Sequence, residues 1–363
     1  MDLHGSGENT DLPALVENIL QEADRAGASD IHIDPFESGV LVRFRTDGFL
    51  LVQHRLAKSL HASIISRIKI LARIRTDLHH LPQDGRLTRP YHQGDIRVSI
   101  MPTYYGESAV LRILRDRPDF AQIESLGISA TDAKHLATAV RRKRGMILIT
   151  GPTGSGKTTT LYSLLRLITS DRLTVTIEDP VEYILPTARQ IQVDAEHGVT
   201  FSAGLRSILR QDPDVIMVGE IRDTDTAHIA IHAALTGHLL FSTLHTTTAL
   251  SAIIRLLDMG IAPYLISATL ETIIAQRLIR KKCQRCKRPE GCRACNYTGF
   301  HGRIAVYELV TITDALREAI TTAPTLSHLQ TIAEHEGMQT LADDGAAKAE
   351  QGLIEKAEML STL

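Results

Sequence analysis

The sequence predicts an α/β protein: a parallel sheet with helices on its faces, preceded by a smaller α+β domain. Three observations predict it. From about residue 125 onward, apolar strand-like segments at 146–150, 172–177, 214–219 and 238–243 alternate with helical ones, the pattern of a parallel sheet. The run Met146–Thr150 leads directly into Gly151-Pro152-Thr153-Gly154-Ser155-Gly156-Lys157-Thr158, and then into helically spaced residues 161–168. Residues 10–115 instead mix helical and period-2 patterns.

In chain order, residues 1–10 are polar and read as a frayed end. Leu12, Leu15, Val16, Ile19 and Leu20 mark a helix over 12–26. Asp30–Asp34 and Gly39–Arg45 alternate polar and apolar, with Asp47-Gly48 as a turn, and read as a β-hairpin. Leu60, Ile64, Ile68, Leu71 and Ile74 give an amphipathic helix over 59–75, and short strands follow at 96–100 and 110–114. The charged, proline-containing run 115–119 marks a linker. The expected domains are 1–117, a linker 118–125, and 126–363. The last includes a cysteine module at 283–295 and a helical region at 311–363.

The 363 residues suffice for two or three domains. A net charge of −2, 4% aromatic residues and no tryptophan leave neither a global basic field nor stacking platforms for nucleic acid. No apolar run approaches the ~20 residues that span a bilayer, and no secretory signal is visible. A cytoplasmic protein is expected, with peripheral membrane attachment left open.

The eight residues Gly151–Thr158 match G-x-x-x-x-G-K-[ST]. Backbone N–H groups of such a loop turn onto phosphate oxygens, Lys157 reaches the β- and γ-phosphates, and the Thr158 hydroxyl ligates Mg²⁺. Thr159 continues the loop into a helix whose N-terminus faces the anion. A second signal is the apolar strand that ends in Glu220, a position suited to hold Mg²⁺ directly or through water. A third is the carboxylate cluster Glu178, Asp179 and Glu182, either a general-base site or a solvated acidic turn. His238 and His245 bracket a strand, and their spacing does not separate a γ-phosphate sensor from a structural residue. Finally, Cys283-x2-Cys286-x5-Cys292-x2-Cys295 predicts a closed, structural four-thiolate Zn²⁺ site. Two pairs rather than one weigh against a redox role.

Together these motifs resemble the type II secretion and type IV pilus assembly ATPases, over about residues 12–355. Their ordered Walker A, Asp box, Walker B and His box correspond here to Gly151–Thr158, Ile177–Glu182, Asp214–Glu220 and Gly237–His245. The N-terminal strings Ala28–His32, Leu81–Arg86 and Val110–Leu114 are also family-like. The resemblance implies a RecA-like phosphate-loop ATPase core, a PAS-like N-terminal domain and a tetracysteine zinc subdomain. It implies a homo-hexameric ring that hydrolyses ATP and drives an inner-membrane platform protein from the cytoplasmic face. It casts Glu182 as the residue that orients or activates water, Glu220 as the Mg²⁺ organiser, and His245, more weakly His238, as γ-phosphate sensors. By position, Arg97 and Arg112 approach the nucleotide from the N-terminal domain. Arg206, Arg210 and Arg222 contact phosphates or a neighbouring subunit. The tetracysteine module, followed by the strand Gly302–Glu308, implies an assembly rather than a retraction motor. Alternatives are a competence-pilus assembly ATPase and, more remotely, a RecA-like nucleic-acid or conjugation translocase. The sequence departs from the family in three ways: a short gap between the cysteine pairs, His79-His80 where basic residues are more usual, and a start at the PAS-like domain, which fits either the shorter competence-pilus motors or a longer chain trimmed before that domain.

Overall fold

The computed structural model describes residues 11–88, 95–114, 123–286 and 290–363. The chain divides into two compact units, 1–117 and 118–363. The polar end 1–10 and the linker expected at 118–125, up to residue 122, lie outside the described residues.

The first unit runs α1 (Leu12–Arg25), β1 (Asp30–Phe36), β2 (Gly39–Thr46), β3 (Phe49–Leu56), α2 (His61–Leu71), β4 (Gln83–Thr88), β5 (Asp95–Thr103) and β6 (Gly106–Ile113). The strands form an antiparallel sheet in the order β3-β2-β1-β6-β5-β4. Asp11 caps α1 by accepting from the Ala14 amide, and a proline follows at the start of the helix. The expected hairpin of β1 and β2 forms, but Asp47-Gly48 turns β2 into β3, a strand that the sequence patterning did not reveal. Both turn residues have positive φ (50° and 92°), which Asp-Gly accommodates. The pleat sorts the side chains by face. Ile31, Ile33, Val42, Phe44, Ile100 and Leu111 are buried with Val16, Ile19, Ile64 and Ile68 of the two helices. Arg97 and Arg112, paired across β5 and β6, belong to the opposite face. There Arg112 Nε lies 3.0 Å from Asp30 Oδ1. Lys69, fully buried, meets Glu107 Oε1 at 2.6 Å, and His79 Nδ1 meets Glu107 Oε2 at 2.9 Å.

The second unit begins α3 (Ala130–Val140), β7 (Gly145–Thr150), α4 (Lys157–Leu165), β8 (Thr174–Glu178), β9 (Ala188–Gln192), α5 (Phe201–Ile208), β10 (Val215–Val218), α6 (Thr224–Leu235) and β11 (Leu239–Leu244). It continues with α7 (Ala249–Asp258), α8 (Pro263–Thr269), β12 (Leu270–Lys282), β13 (Phe300–Thr311) and the helices α9 (Asp314–Thr322), α10 (Leu326–His335), α11 (Leu341–Glu350) and α12 (Lys356–Thr362). The sheet order is β13-β12-β7-β11-β10-β8-β9. All pairs are parallel except β12 with β13, so the sheet is mixed rather than wholly parallel. The antiparallel edge arises because β12 and β13 are two arms of one long ribbon, closed by the cysteine segment. Alternate residues of β7 enter different cores. Met146 and Leu148 join Val218, Ala227 and Ile253, whereas Ile147 and Ile149 join Leu136, Leu161 and Tyr162. A strand buried on both faces therefore reads as an unbroken apolar run. No helix among the described residues is long and apolar enough to cross a membrane.

Candidate functional site

Parallel pairing gives the second sheet two unlike edges. At the C-terminal edge, β7 ends at Thr150 opposite Leu244 of β11, and β10 ends beside Ser242. The loop 151–156 leaves that edge and enters α4. Gly151 (φ +150°) lies so close to β12 that a Cβ would sit 2.5 Å from the Gln276 carbonyl oxygen. Gly156 (φ +87°) would place one 2.8 Å from Gln276 Nε2. These two positions need glycine for close approach as well as for backbone conformation. Pro152, Thr153, Gly154 and Thr158 are exposed, Thr159 is half-buried, and Gly151, Ser155 and Lys157 are buried. Lys157 Nζ donates to the carbonyls of Gly151 (2.8 Å) and Pro152 (3.0 Å). Burial lowers its pKa to about 8; Glu220 opposes that shift and Arg277 adds to it. Ser155 Oγ is buried without a hydrogen-bond partner among the described residues. An anion on the loop would restore the lysine's full charge and give that hydroxyl an acceptor.

Glu220 follows β10 on the same edge. Its Oε1 accepts from Arg222 at 2.6 Å, and its Oε2 lies 3.2 Å from His245 Nε2. Burial pushes its pKa up, but Arg222 and then His245 outweigh that and leave it lowered. Arg222 also lies 3.8 Å from Asp179 Oδ2. Hydroxyls tie the edge together: Thr243 Oγ1 donates to Gly219 O (2.8 Å), and the Thr246 amide donates to Thr150 Oγ1 (2.9 Å). Thr158 and Glu220 offer the hard oxygen donors that suit Mg²⁺.

The acidic cluster divides. Glu178 is 3% exposed and turned into the core, Asp179 is exposed, and Glu182 is half-buried with no side-chain hydrogen bond or ion pair among the described residues. His238 does not join His245. It precedes β11, its backbone carbonyl receives the Gly145 amide, and its Nδ1 lies 2.9 Å from Ala233 O. The strand between the two histidines sets them about 20 Å apart, at opposite edges of the sheet. That corrects the expectation of His238 as a γ-phosphate sensor. Arg206 and Arg210 sit at the end of α5, which leads into the N-terminal end of β10 and so to the far edge. Arg210 donates to Arg206 O (3.0 Å) and Ser207 Oγ (3.1 Å), closing its own helix end. Neither belongs to this chain's phosphate loop. Arg97 and Arg112 lie in the other unit.

Several residues that the sequence did not single out build the site. Gln276 on β12 donates to Ser155 O (2.8 Å) and accepts from Thr160 Oγ1 (2.8 Å), holding the phosphate loop from below. Arg277, its neighbour, donates to the carbonyl of Thr247 (2.8 Å), two residues past His245. Glu308 on β13 accepts from the Ala249 amide (2.7 Å) at the start of α7, and burial raises its pKa. These contacts join residues 30 to 121 positions apart, so no local motif could announce them.

Beyond the C-terminal edge, the β12–β13 ribbon projects and brings the four cysteines together. All four Sγ atoms lie within 4.8 Å of one another, with Cys286–Cys295 and Cys292–Cys295 both at 3.9 Å. A tetrahedral Zn²⁺ with ~2.3 Å bonds needs S···S edges of about 3.8 Å. The short gap between the pairs closes because a 3₁₀ turn over Arg293–Cys295 folds the second pair back on itself. Four soft donors at this spacing fit zinc.

A family model described as Type II/IV secretion system protein matches residues 7–361. The Type II secretion system protein HxcR of Pseudomonas aeruginosa is 43% identical, covering 99% of this chain and 79% of its own length. The Type IV pilus assembly ATPase PilB of Thermus thermophilus is 42% identical over 96% of this chain and 42% of its own length. Among solved structures, the pilus retraction motor PilT with bound ADP aligns at TM-score 0.70 and 29% identity, covering 98% of this chain and 97% of PilT. The Legionella pneumophila ATPase DotB aligns at TM-score 0.76 and 23% identity over 99% of this chain and 97% of its own, a likeness of fold. With a phosphate loop, an edge carboxylate and a histidine on one sheet edge, and with relatives named as a type II secretion system protein and a type IV pilus assembly ATPase, this chain belongs to the Type II/IV secretion system protein family.

Proposed function

We propose that the protein is an ATP-hydrolysing motor for pilus or pseudopilus assembly, working as a hexamer at the cytoplasmic face of an inner membrane. The observation that supports this most is the convergence of Lys157, Glu220, Arg222 and His245 at one edge of the sheet. The loop amides and Lys157 bind the β- and γ-phosphates. Thr158 and Glu220 would hold Mg²⁺, directly or through water, and the ion would supply charge neutralisation at the phosphates. Glu182, whose side chain has no hydrogen bond or ion pair among the described residues, takes a proton from the attacking water; the water oxygen bonds to the γ-phosphorus as the bond to ADP breaks. His245 reports the state of the γ-phosphate through Glu220. Hydrolysis drives the mechanical stroke passed to a platform protein, and Arg97 and Arg112 of the first unit are proposed as nucleotide-binding residues. Arg206 and Arg210 keep only a role toward a neighbouring copy. The cysteine module holds one Zn²⁺ structurally and supports assembly rather than retraction.

The test is Lys157→Ala in the assembled oligomer and in cells. Loss of both ATP turnover and surface pili or secreted enzymes is expected; unchanged output would overturn the reading. A deletion strain scored together for secretion, pili and DNA uptake identifies the machine served.

A further inference from the structure

Behind the phosphate loop lies a buried polar hub in which Glu178 meets Tyr162 and Gln190, two residues outside the sequence motifs. Tyr162 is fully buried on α4, five residues past Lys157, about 7.5 Å along the helix axis. Its hydroxyl donates to Glu178 Oε2. The same oxygen lies 3.3 Å from Gln190 Nε2 and is faced by the backbone amides of Glu182 and Tyr183. Gln190, on β9, completes the frame. Its Nε2 reaches Glu178 Oε1 (3.1 Å) and Tyr183 O (2.9 Å), and its Oε1 accepts from the Leu185 amide (2.6 Å). Thr176 Oγ1 donates to Glu178 Oε1 at 2.6 Å, and the rings of Tyr162 and Tyr183 meet edge to face at 5.6 Å. Burial and the neighbouring Glu178 push the phenol's pKa far up, so the group is a fixed donor rather than a proton carrier.

We infer that Tyr162 is a positioning residue: its hydroxyl, with Gln190, ties the phosphate-binding helix to the backbone that presents Glu182. The inference rests on Glu182 being the residue that acts on water. The physical argument is one of anchoring. The Glu182 side chain has no partner of its own among the described residues, so its place is set by its backbone. That backbone is held by a hydroxyl borne on the same helix that receives the phosphates. A shift of α4 is therefore transmitted to Glu182 through one buried oxygen, and a misplacement of ~1 Å costs up to ~10²-fold in rate. The nucleotide contacts themselves, on the loop and at Lys157, do not include the hub.

The experiment compares the full chain in its assembled state with Tyr162→Phe, Gln190→Leu and Glu182→Gln, measuring ADP affinity by titration and steady-state kcat and KM for ATP. Tyr162→Phe is expected to lower kcat about 10- to 100-fold while ADP affinity and KM stay near the wild-type values. A merely structural role would instead move affinity and kcat together, or neither. If Tyr162→Phe does not fold, Gln190→Leu removes the bonds to Tyr183 and Leu185 at similar volume and is expected to show the same kcat-only loss. Wild-type kcat in a folded Tyr162→Phe protein overturns the inference, as does wild-type kcat in Gln190→Leu. Glu182→Gln separates the two levels. If it is inactive while Tyr162→Phe is intact, only the hub falls. If Glu182→Gln turns over normally, the assignment of Glu182 falls and the hub has nothing to position.

Discussion

The two edges of the seven-stranded sheet carry similar residues and do different things with them. At the C-terminal edge, His245 shares Glu220 with Arg222, beside Lys157. At the N-terminal edge, His238 bonds a helix carbonyl and Arg210 closes the end of its own helix. The first set leaves charged groups partly open around a loop of backbone donors. The second spends its donors on backbone acceptors already in the fold. Strand direction, rather than residue type, separates a site from a scaffold, because every parallel strand delivers its following loop to the same edge.

Mutations can break this comparison. The largest effect is expected for Lys157→Ala, which removes the cation from the phosphates; ATP turnover should fall about 10²- to 10³-fold or more. Glu220→Gln should come close behind, and turnover near the wild-type rate in either variant would dissolve the distinction between the edges. His245→Ala removes a charge-assisted contact worth roughly 1.5–3 kcal/mol, so a loss of about 10- to 100-fold in kcat is expected. His238→Ala is the matched control. It should leave kcat unchanged and lower Tm by roughly 2–4 °C, the shift for about 1 kcal/mol in a domain of this size. Equal losses of kcat in the two histidine variants would show that position on the sheet does not decide.

The ribbon that extends past the C-terminal edge sharpens the comparison further. Cys283→Ser should lower zinc content measured by metal analysis and lower Tm, because a closed thiolate site contributes directly to folding. Full zinc occupancy in that variant would reject the four-cysteine assignment. The smallest effect is expected away from both edges, in the first unit. Burial pushes the Glu107 pKa up, but His79 and Lys69 outweigh it, and the net value lies below the usual 4.5. The folded state thus binds fewer protons than the unfolded one near and below that pH. The stabilisation is complete above 4.5 and is lost as pH falls through the lowered value. Glu107→Gln should flatten this acid-side decline in Tm. It should also lower Tm at neutral pH, because the Lys69 ammonium is then buried without its counter-charge.

Much of the fold was legible because its signals are local. The helices over 12–26 and 59–75, and the four strands that alternate with helices after residue 125, follow from apolar spacing alone. β3 is hidden because Phe49–Leu56 carries no clean apolar–polar alternation, although Asp47-Gly48 marks its turn from β2. β9, Ala-Arg-Gln-Ile-Gln, has a single large apolar residue, so its pattern carries almost no strand signal. The antiparallel edge was hidden because β12 follows α8 with no glycine or proline between them.

The sequence by itself determined the phosphate loop, the edge carboxylate and the cysteine set, because each is a short run whose chemistry needs particular residues at fixed spacing. It also determined that a β/α sheet would hold them, since hydrophobic periodicity is written residue by residue. Only the tertiary structure decided which histidine lies on the phosphate-loop edge, which arginines lie at the far edge, that Gln276 bonds the phosphate loop, and that Tyr162, Glu178 and Gln190 meet in one buried cluster. The reason is physical. Strand order and direction bring together groups far apart along the chain, and the buried hydrogen bonds that fix them exist only once the sheet has closed over them.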